Sequence, residues 1–456
     1  MKTLVYIAAT CTILLASCKT TDNKETKPYR LVTLDPGHFH AALVQKTMYT
    51  EVDSIVEVYS PGGSDLQLHV DRINSYNNRK ENPTHWEEEI YTGPDFFEKM
   101  IKEKKGNLVV LSGNNKKKTD YILSSLENGF HVLADKPMVI DAAGFEKLKR
   151  SFDIAQQNKL LLYDIMTERF EINTMLQKAL SMMPEVFGTL EKGTIDNPAI
   201  TKESVHHFYK YVSGAVLTRP AWFLDVTQQG EGLVDVMTHL VDLVQWECFP
   251  ETAIDYTKDI QVLKASRWAT PVSISQFSTL TKKTTIPDYL QPILSDTTLQ
   301  VYANGTIHFS IKDVHAKTSV TWNYKAPEGT GDTHYSIMRG SKANLVIRQG
   351  KEENYQAQLY IEPTSKDKNY EAALNQAIQQ LSAKFPGIGL AKTNKGWKLQ
   401  IPDALKEGHE AHFARVMENF LQYLKNNNMP AWEIPNMLAK YYTTTTGLAL
   451  AQKQQP

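Results

Sequence analysis

Between residues 29 and 164, short apolar runs alternate with amphipathic segments, and this alternation constrains the fold more than any other feature of the 456-residue chain. The apolar runs read YRLVTL, SIVEVYS, NLVVLS, FHVLADKP and KLLLYDI. Continuous Val, Leu and Ile are typical of strands buried on both faces, and the intervening segments have helical periodicity. The pattern predicts an α/β domain with a doubly wound parallel sheet over residues 29–164.

The turns that follow these strands are the first candidate site, because ligands of doubly wound sheets bind beyond the carboxyl ends of the strands. Three turns are expected at one crevice: Asp35-Pro36-Gly37-His38, Ser112-Gly113-Asn114-Asn115 and Asp135-Lys136-Pro137. The first turn lies between a strand and a helix, where a dinucleotide diphosphate binds. Aligned on Gly37, the glycine fingerprint has Asp35 first and His40 third, so a corner without a ligand is the alternative.

This placement predicts a set of cofactor contacts: Asp35, Gly37, His38, Phe39, Ser60, Gly113, Asn114 and Lys136. A ribose-binding acid is expected at the end of the second strand, where Ser60 stands. Glu57 and Asp65 are the nearby acids, and neither is well placed. No Arg adjoins Ser60 to hold a 2′-phosphate, which favours NAD slightly while leaving NADP open.

A second group of polar residues lies in the segment GEGLVDVMTHLVDLVQW. Asp235 and His239 are four residues apart and share one helical face, and Asp242 lies three residues further along it. Such residues on an apolar helix either pair within the core or face a site. With Lys136 at the predicted crevice, the pattern indicates catalytic roles for Lys136, Asp235 and His239.

Several of these segments carry a family resemblance. The turn LDPGHFHAAL, the segments SGNN and LENGFHVLADKP, and the helix GEGLVDVMTHLVDLVQW together resemble the Gfo/Idh/MocA family of NAD(P)-dependent sugar and cyclitol oxidoreductases. The resemblance covers about residues 29–345, with Asp135 where the family has Glu. It implies a Rossmann-type first domain, a nicotinamide cofactor beside Lys136, and hydride transfer at a carbinol carbon of a sugar, glycoside or cyclitol.

Strand-like alternation dominates from about Pro184, which predicts an α+β substrate domain over residues 165–363 with a large mixed or antiparallel sheet. We expect no helix after Trp246 within this domain, and a hairpin at Asn304-Gly305. Helical patterns return in a C-terminal extension, residues 364–456. The extension has a short strand pair, and we expect the open sheet to support a homo-oligomer.

The expected substrate is a small carbohydrate, and Arg219, Trp222 and His207 are its candidate contacts, with His334 a weaker one. His206 and His207 are consecutive in a strand, so at most one should face the crevice. His38 and His40 are two residues apart at the start of a helix and should diverge. We therefore expect no metal site there.

The N-terminus predicts export. An apolar run from Leu4 to Leu15 is followed by Leu15-Ala16-Ser17-Cys18, which resembles a bacterial lipobox. Residues 1–17 then form a signal peptide, Cys18 carries lipid, and residues 18–28 are a linker. The expected location is periplasmic or outer-membrane associated, with membrane contact through the lipid alone. An ordinary secretory signal is the alternative. Cys248 would remain unpaired, as a buried thiol.

The charge balance excludes a general nucleic-acid binder, since 50 basic and 51 acidic residues leave a net charge of −1 with no basic stripe. Free NAD is not replenished outside the cytoplasm, so we expect a tightly held cofactor. Two alternatives stay open: a redox-neutral glycosidase that oxidises its substrate transiently, and an inactive carbohydrate-binding lipoprotein. Lys136 and His239 argue against the second.

Overall fold

The computed structural model describes residues 27–212, 215–364 and 366–454. The predicted signal peptide and the lipidated Cys18 lie outside the described residues. The first domain is a sheet of six parallel strands in the order β3-β2-β1-β4-β5-β6. The strands are β1 (Leu31–Leu34), β2 (Ile55–Ser60), β3 (Glu87–Thr92), β4 (Leu108–Leu111), β5 (His131–Asp135) and β6 (Leu162–Ile165). The predicted doubly wound sheet is confirmed.

Helices connect these strands: α1 (His40–Val44), α2 (Ser64–Asn78), α3 (Phe96–Glu103), α4 (Asn115–Glu127) and α5 (Ala142–Gln157). The sequence analysis missed α2 and β3. The strand β3, with sequence EEEIYT, is an edge strand with no buried residue, so it lacks the apolar run that marks its neighbours.

The second domain carries a ten-stranded sheet along the path β10-β12-β13-β7-β14-β15-β16-β18-β17, with β11 paired to β12. Only β13 and β7 pair in parallel, so the sheet is mixed, as predicted. Its strands before the extension are β7 (Ile200–Tyr209), β10 (Ile260–Ser273), β11 (Leu294–Ser295), β12 (Thr298–Ile311), β13 (Val314–Lys325), β14 (Thr333–Arg339), β15 (Ala343–Arg348) and β16 (Gln358–Pro363). A short ladder joins β8 (Tyr211–Val212) to β9 (Ala215–Val216).

Helices of the second domain are α6 (Ile172–Ser181), α7 (Val226–Gln229), α8 (Met237–Cys248) and α9 (Ile274–Thr281). The expectation of no helix after Trp246 is wrong, because α9 follows β10 directly. A reciprocal capping box explains its start: Gln276 N donates to Ser273 Oγ, and Ser273 N donates to Gln276 Oε1.

The predicted hairpin at Asn304-Gly305 is also wrong, since both residues lie inside β12. The turn falls instead at Lys312 and Asp313, which both have positive φ and join β12 to β13. The amide of Asn304 bonds along the sheet, donating to Trp268 O and accepting from Trp322 N. A buried amide with backbone partners thus fits the strand interior.

The C-terminal segment holds α10 (Tyr370–Leu381), β17 (Gly389–Thr393), β18 (Gly396–Gln400), α11 (His409–Asn426) and α12 (Glu433–Gln454). Its last two helices complete the cores of both domains. Phe413 and Phe420 of α11 and Tyr441 of α12 are buried with the first sheet, whereas Leu448 packs in the core of the second domain. Within the described residues, no helix combines the length and apolar character that a membrane span requires.

A group of buried charges, here called the ion network, lies where α8, α12 and β6 meet. Its members are Arg169, Asp242, Glu433, Lys440 and Asp164. Arg169 donates two hydrogen bonds to Asp242, at 2.7 and 2.8 Å, and a third to Glu433 at 2.9 Å. Lys440 Nζ lies 2.8 Å from Asp242 and 2.6 Å from Asp164. Each charge therefore has an opposite partner.

Candidate active site

The two domains meet at the crevice where β5 ends and α8 begins. Lys136 follows β5, and its Nζ donates to Asp235 Oδ1 at 2.7 Å, with both side chains buried. Asp235 lies in the turn that leads into α8, and His239 in its first turn. The structure thus brings the three predicted catalytic residues to one wall of the crevice.

Within this group the carboxylate of Asp235 pairs with Lys136 and not with His239. The Nδ1 atom of His239 is buried and has no hydrogen-bond partner. Burial, and then the positive charge of Lys136, lower the pKa of His239 well below its usual range, so the imidazole is neutral at physiological pH. Asp242, expected on the same stripe, belongs to the ion network instead.

The fingerprint turn brings a second set of polar groups together, here called the histidine cluster: His38, His40 and Asp135. His40 Nδ1 lies 3.0 and 3.1 Å from the two carboxylate oxygens of Asp135. His38 Nδ1 lies 3.5 Å from Asp135 Oδ2, and the two imidazole rings are 4.1 Å apart. The expectation that the histidines diverge is wrong, because His38 lies in the turn before α1 and its ring folds back over the helix start.

The electrostatics of the histidine cluster follow from burial. Burial lowers the pKa of His38 to about 4 and that of His40 to about 3. Burial alone would raise the pKa of Asp135, but His40 and His38 hold it well below its usual range. The cluster at neutral pH is therefore two neutral imidazoles facing one carboxylate.

The fingerprint turn itself is closed by internal contacts. The amides of Gly37 and His38 both donate to Ser112 O at 3.1 Å. A Cβ atom on Gly37 would lie 3.0 Å from Trp222 Cζ2, and the Trp222 indole N–H donates to Asp65 Oδ2 at 2.8 Å. Trp222, predicted as a substrate contact, therefore covers the diphosphate end of the crevice.

Two other predicted cofactor residues bond within the first domain. Asp35 has a φ of 46°, and its carboxylate accepts a hydrogen bond from the Tyr121 hydroxyl at 3.2 Å. Ser60 is buried at the end of β2, where its Oγ accepts from the Gly62 amide at 3.1 Å. Asp35 follows β1 and Ser60 ends β2, and the contacts of both side chains are to other residues of the first domain.

The remaining predicted cofactor residues serve packing. A Cβ atom on Gly113 would lie 2.2 Å from Asp35 O, so a side chain there would collide with the backbone. Asn114 caps α4 by accepting from Lys116 N, and its amide donates to Gln228 of the second domain at 2.7 Å. Phe39 lies against His38 and His40.

A cavity of about 1400 Å³ extends from the histidine cluster across the sheet of the second domain. Histidines are frequent in its wall, which includes His38, His40, His207, His239, His334 and His409. The room is sufficient for an extended polar ligand.

Deeper in the cavity, His206 and His207 both approach Asp332, with Nδ1 to carboxylate distances of 3.2 and 3.0 Å. The expectation that only one of them faces the crevice is wrong. Asp332 immediately precedes β14, whose first residue pairs with Val205, so its carboxylate lies beside the end of β7 and reaches both rings. Lys210 Nζ also donates to it, at 3.0 Å.

Arg219 was expected to bind substrate through its guanidinium, but this group contacts other residues of the protein. Its guanidinium donates to the backbone oxygens of Phe208 and His207 and stacks on the Phe223 ring at 4.2 Å. Burial lowers its pKa to about 10, which leaves the group charged at neutral pH. It lines the cavity wall and supplies positive charge there.

Comparison with known proteins places this geometry in a family. Residues 36–163 match "Oxidoreductase family, NAD-binding Rossmann fold", and residues 176–452 match "Putative oxidoreductase C terminal domain". The chain belongs to the Gfo/Idh/MocA oxidoreductase family. No match is found among curated proteins.

Several solved structures are similar to this chain. A "putative oxidoreductase" from Parabacteroides merdae is 53% identical, with 94% of this chain and 98% of that chain covered and a TM-score of 0.92. GenD2 from gentamicin A biosynthesis, in complex with NAD, is 12% identical, with 94% and 96% covered and a TM-score of 0.57. KijD10, a 3-ketoreductase from Actinomadura kijaniata in complex with NADP, is 13% identical, with 91% and 96% covered and a TM-score of 0.54. The last two share the fold.

The crevice of this Gfo/Idh/MocA protein has different side chains at its two ends. Lys136, Asp235 and the unpartnered nitrogen of His239 form a polar wall at the carboxyl ends of the strands. At the other end, Trp222 occupies the space that Gly37 leaves free. A dinucleotide can therefore use the fingerprint turn only when the indole has moved.

The sequence analysis missed two residues of this site, Glu168 and His409. His409 begins α11, and its Nδ1 lies 3.4 Å from Glu168 Oε1. Its ring lies 6.2 Å from the ring of His40. The one available signal, a histidine after Gly408 at a helix start, carries no spacing that links it to a crevice formed some 170 to 370 residues earlier in the chain.

Free thiol chemistry does not contribute to this site. Cys248 ends α8 and is the free cysteine of the described residues. Burial raises the pKa of its thiol, so it stays protonated at physiological pH. The side chain packs between the two cores of the second domain, as the sequence predicted.

Proposed function

We propose that this protein is a nicotinamide-dependent oxidoreductase that transfers a hydride at a carbinol carbon of a sugar, glycoside or cyclitol. The observation that carries the proposal is the group of Lys136, Asp235 and His239 in the wall of a large cavity. A bound nicotinamide would supply the hydride acceptor or donor. We further propose NAD as the cofactor and a holoenzyme that retains it through the turnover.

His239 is the proposed proton acceptor. Oxidation of a carbinol releases the hydroxyl proton as the C–H bond breaks, so a base must lie within hydrogen-bond reach. The neutral imidazole has a buried nitrogen without a partner, and this nitrogen can take the proton. Because its pKa is lowered, we expect the acidic limb of kcat/KM to fall below pH ~6.5, the ordinary histidine value.

Lys136 and Asp235 act on the same oxygen in different ways. The ammonium of Lys136 can donate to the substrate oxygen and stabilise the negative charge that develops on it. Asp235 holds that ammonium at 2.7 Å and therefore positions Lys136. Asp235 therefore acts through Lys136 and not through the ring of His239.

The test is turnover on a panel of glycosides and cyclitols with nucleotide binding measured in parallel. His239→Ala and Lys136→Met should each lower kcat by ~10²-fold or more, with little change in nucleotide affinity. The matched control is His308→Gln, because His308 lies on β12 and bonds to Ile195 O outside the cavity wall. Near wild-type turnover in either site variant would reject the assignment.

The nucleotide released from the denatured holoenzyme is the second measurement. Its absorbance and mass identify NAD or NADP, and its recovery after dialysis measures how tightly it is held. Active protein with no bound or required nucleotide would overturn the whole proposal. Retained nucleotide with release of the aglycone, and no net change in its redox state, would indicate the redox-neutral glycosidase instead.

We also propose that the chain is an exported lipoprotein. The support is the apolar run that stops at Leu15-Ala16-Ser17-Cys18 and the polar residues that follow. Cys18→Ser should move the protein from the membrane fraction to the soluble fraction. Cys248→Ser is the matched control, and identical partitioning of Cys18→Ser and wild type would exclude a lipid anchor.

A further inference from the structure

We propose that His38, His40 and Asp135 bind a divalent metal ion of the borderline class, with Zn²⁺ as the reference ion. Each of the three residues offers one ligand atom, a ring nitrogen or a carboxylate oxygen, and these atoms all lie within 4.8 Å of one another. Nothing in the hydride-transfer proposal requires this ion. The inference therefore stands or falls independently.

The distances within the histidine cluster suit a single ion. Two ligand atoms of a tetrahedral Zn²⁺, each bonded at about 2.0–2.1 Å, lie roughly 3.3–3.4 Å apart. Asp135 Oδ2 lies 3.0 Å from His40 Nδ1 and 3.5 Å from His38 Nδ1, on either side of that separation. Small side-chain shifts would bring this oxygen and each of the two nitrogens to the separation expected for two ligands of one ion.

Hydrogen bonding alone does not satisfy the histidine cluster. His40 Nδ1 can donate to Asp135, but His38 Nδ1 is buried and has no hydrogen-bond partner. A buried polar nitrogen without a hydrogen-bond partner is destabilising, and such groups call for an explanation. One bound cation would use the lone pairs of both imidazoles and the carboxylate.

Neighbouring groups hold the carboxylate in place. Ser112 Oγ donates to Asp135 Oδ2 at 3.0 Å, and Lys118 Nζ donates to the backbone oxygen of Asp135 at 2.9 Å. Hydrogen bonds of this kind orient the ligands of protein metal sites. They also fix Asp135 at the end of β5, where its oxygens face the two rings.

The ligand set selects the class of ion. Two imidazoles and one carboxylate suit Zn²⁺ and related transition metals, whereas Mg²⁺ and Ca²⁺ prefer oxygen ligands. Three protein ligands leave a coordination position for a substrate oxygen or water, as in catalytic rather than structural zinc sites. Since His38 and His40 line the large cavity, that position would face its interior.

The experiment uses the full chain, stripped of metal with a chelator and then titrated with Zn²⁺ alone against a chromophoric competitor. We expect one Zn²⁺ per chain, and visible d–d bands when Co²⁺ replaces it. His40→Ala and Asp135→Asn should each weaken Zn²⁺ affinity by more than about 100-fold, since even second-shell changes cost 10–100-fold. Metal content and the Co²⁺ spectrum are read without any activity assay.

The matched control is His69→Ala. His69 is also buried, and its Nε2 lies 3.5 Å from Glu88, but no second histidine joins that pair in the described residues. This variant should bind Zn²⁺ like wild type. His38→Ala removes a ring without a hydrogen bond to Asp135, so it tests the site if His40→Ala fails to fold. No Zn²⁺ binding by wild type, or equal binding by His38→Ala and wild type, would overturn the proposal.

Discussion

The ion network and the histidine cluster both bury charged groups at the domain junction. They differ in whether every buried polar atom has a partner. In the ion network, Arg169 bridges Asp242 and Glu433, and Lys440 bridges Asp242 and Asp164. Tyr163 and Tyr441 add hydroxyl donors to Glu433 and Asp164. In the histidine cluster, by contrast, a buried imidazole nitrogen has no partner, and His239 nearby has another.

This difference indicates a structural role for the ion network and a ligand-binding role for the unpaired nitrogens. A buried charge costs several kcal/mol unless it is paired, so a saturated network can fix the position of α8 but has no atom free for a ligand. Unpaired nitrogens at a cavity wall are a cost that a ligand can relieve. Asp242 and His239 show the contrast within one helix, because they are three residues apart and take opposite roles.

The largest expected effect is on the ion network. Arg169→Met leaves Asp242 with Lys440 and leaves Glu433 without its cation, so the free energy of unfolding should fall by about 3–5 kcal/mol in urea titrations. The control is Arg150→Met, whose partner Glu127 is on the surface, and its loss should be below about 1 kcal/mol. Equal losses of unfolding free energy in the two variants would show that the buried ion network stabilises the fold no more than a surface ion pair does.

A smaller effect distinguishes the cavity wall from the ion network by the pH at which each loses stability. Burial lowers the pKa of His334, in the cavity wall, to about 3, whereas the unfolded chain titrates near 6.5. The unfolded state therefore binds more protons between those values, and stability is lost as pH falls through this window. Arg169 and Lys440 outweigh burial and hold the pKa of Asp242 below its usual range, so its contribution is lost only below about pH 4.

His334→Gln tests this separation. Wild-type protein should lose about 1 kcal/mol more than the variant between pH 6 and pH 5, measured as the free energy of unfolding in urea at each pH. Parallel curves for the two proteins over this interval would show that His334 gains its proton in the folded state at its ordinary pKa.

The smallest expected effect concerns Trp222, which covers Gly37. To admit a diphosphate, the indole must leave Gly37 and give up its hydrogen bond to Asp65, worth about 0.5–1.5 kcal/mol. Trp222→Ala should therefore lower the Kd for NAD by about threefold in calorimetric titrations. Trp268→Ala is the control, because that ring is on the surface. Weaker NAD binding by Trp222→Ala would instead make the indole part of the nucleotide site.

The fold was predictable wherever a residue's burial follows from its neighbours in sequence. The buried strands of the first sheet are recognisable in the sequence as runs of Val and Leu. The edge strand β3 has no buried face, so the sequence analysis missed it together with α2. The hairpin predicted at Asn304-Gly305 was wrong because the Asn304 amide forms hydrogen bonds to two neighbouring strands, and these bonds outweigh the local turn preference. Tertiary contacts decided that segment.

The site was predictable only in part, for a related reason. Lys136 and Asp235 could be predicted from the sequence. Lys136 is in a turn that follows a strand, Asp235 is in a helical segment that follows two glycines, and both patterns are typical of residues at the crevice. The convergence of His38 with Asp135 depends on how one turn folds back, which spacing does not encode. His409 comes from a helix that reaches the crevice only through the packing of the C-terminal segment on the first domain.

The packing of α11 and α12 against the first domain affects the order in which the core of that domain is completed during synthesis. A ribosome delivers all six strands of the first sheet long before Phe413, Phe420 and Tyr441, which are part of the same core. The core of the first domain is therefore complete only when the end of the chain has been synthesised, and the crevice receives His409 at that same late step.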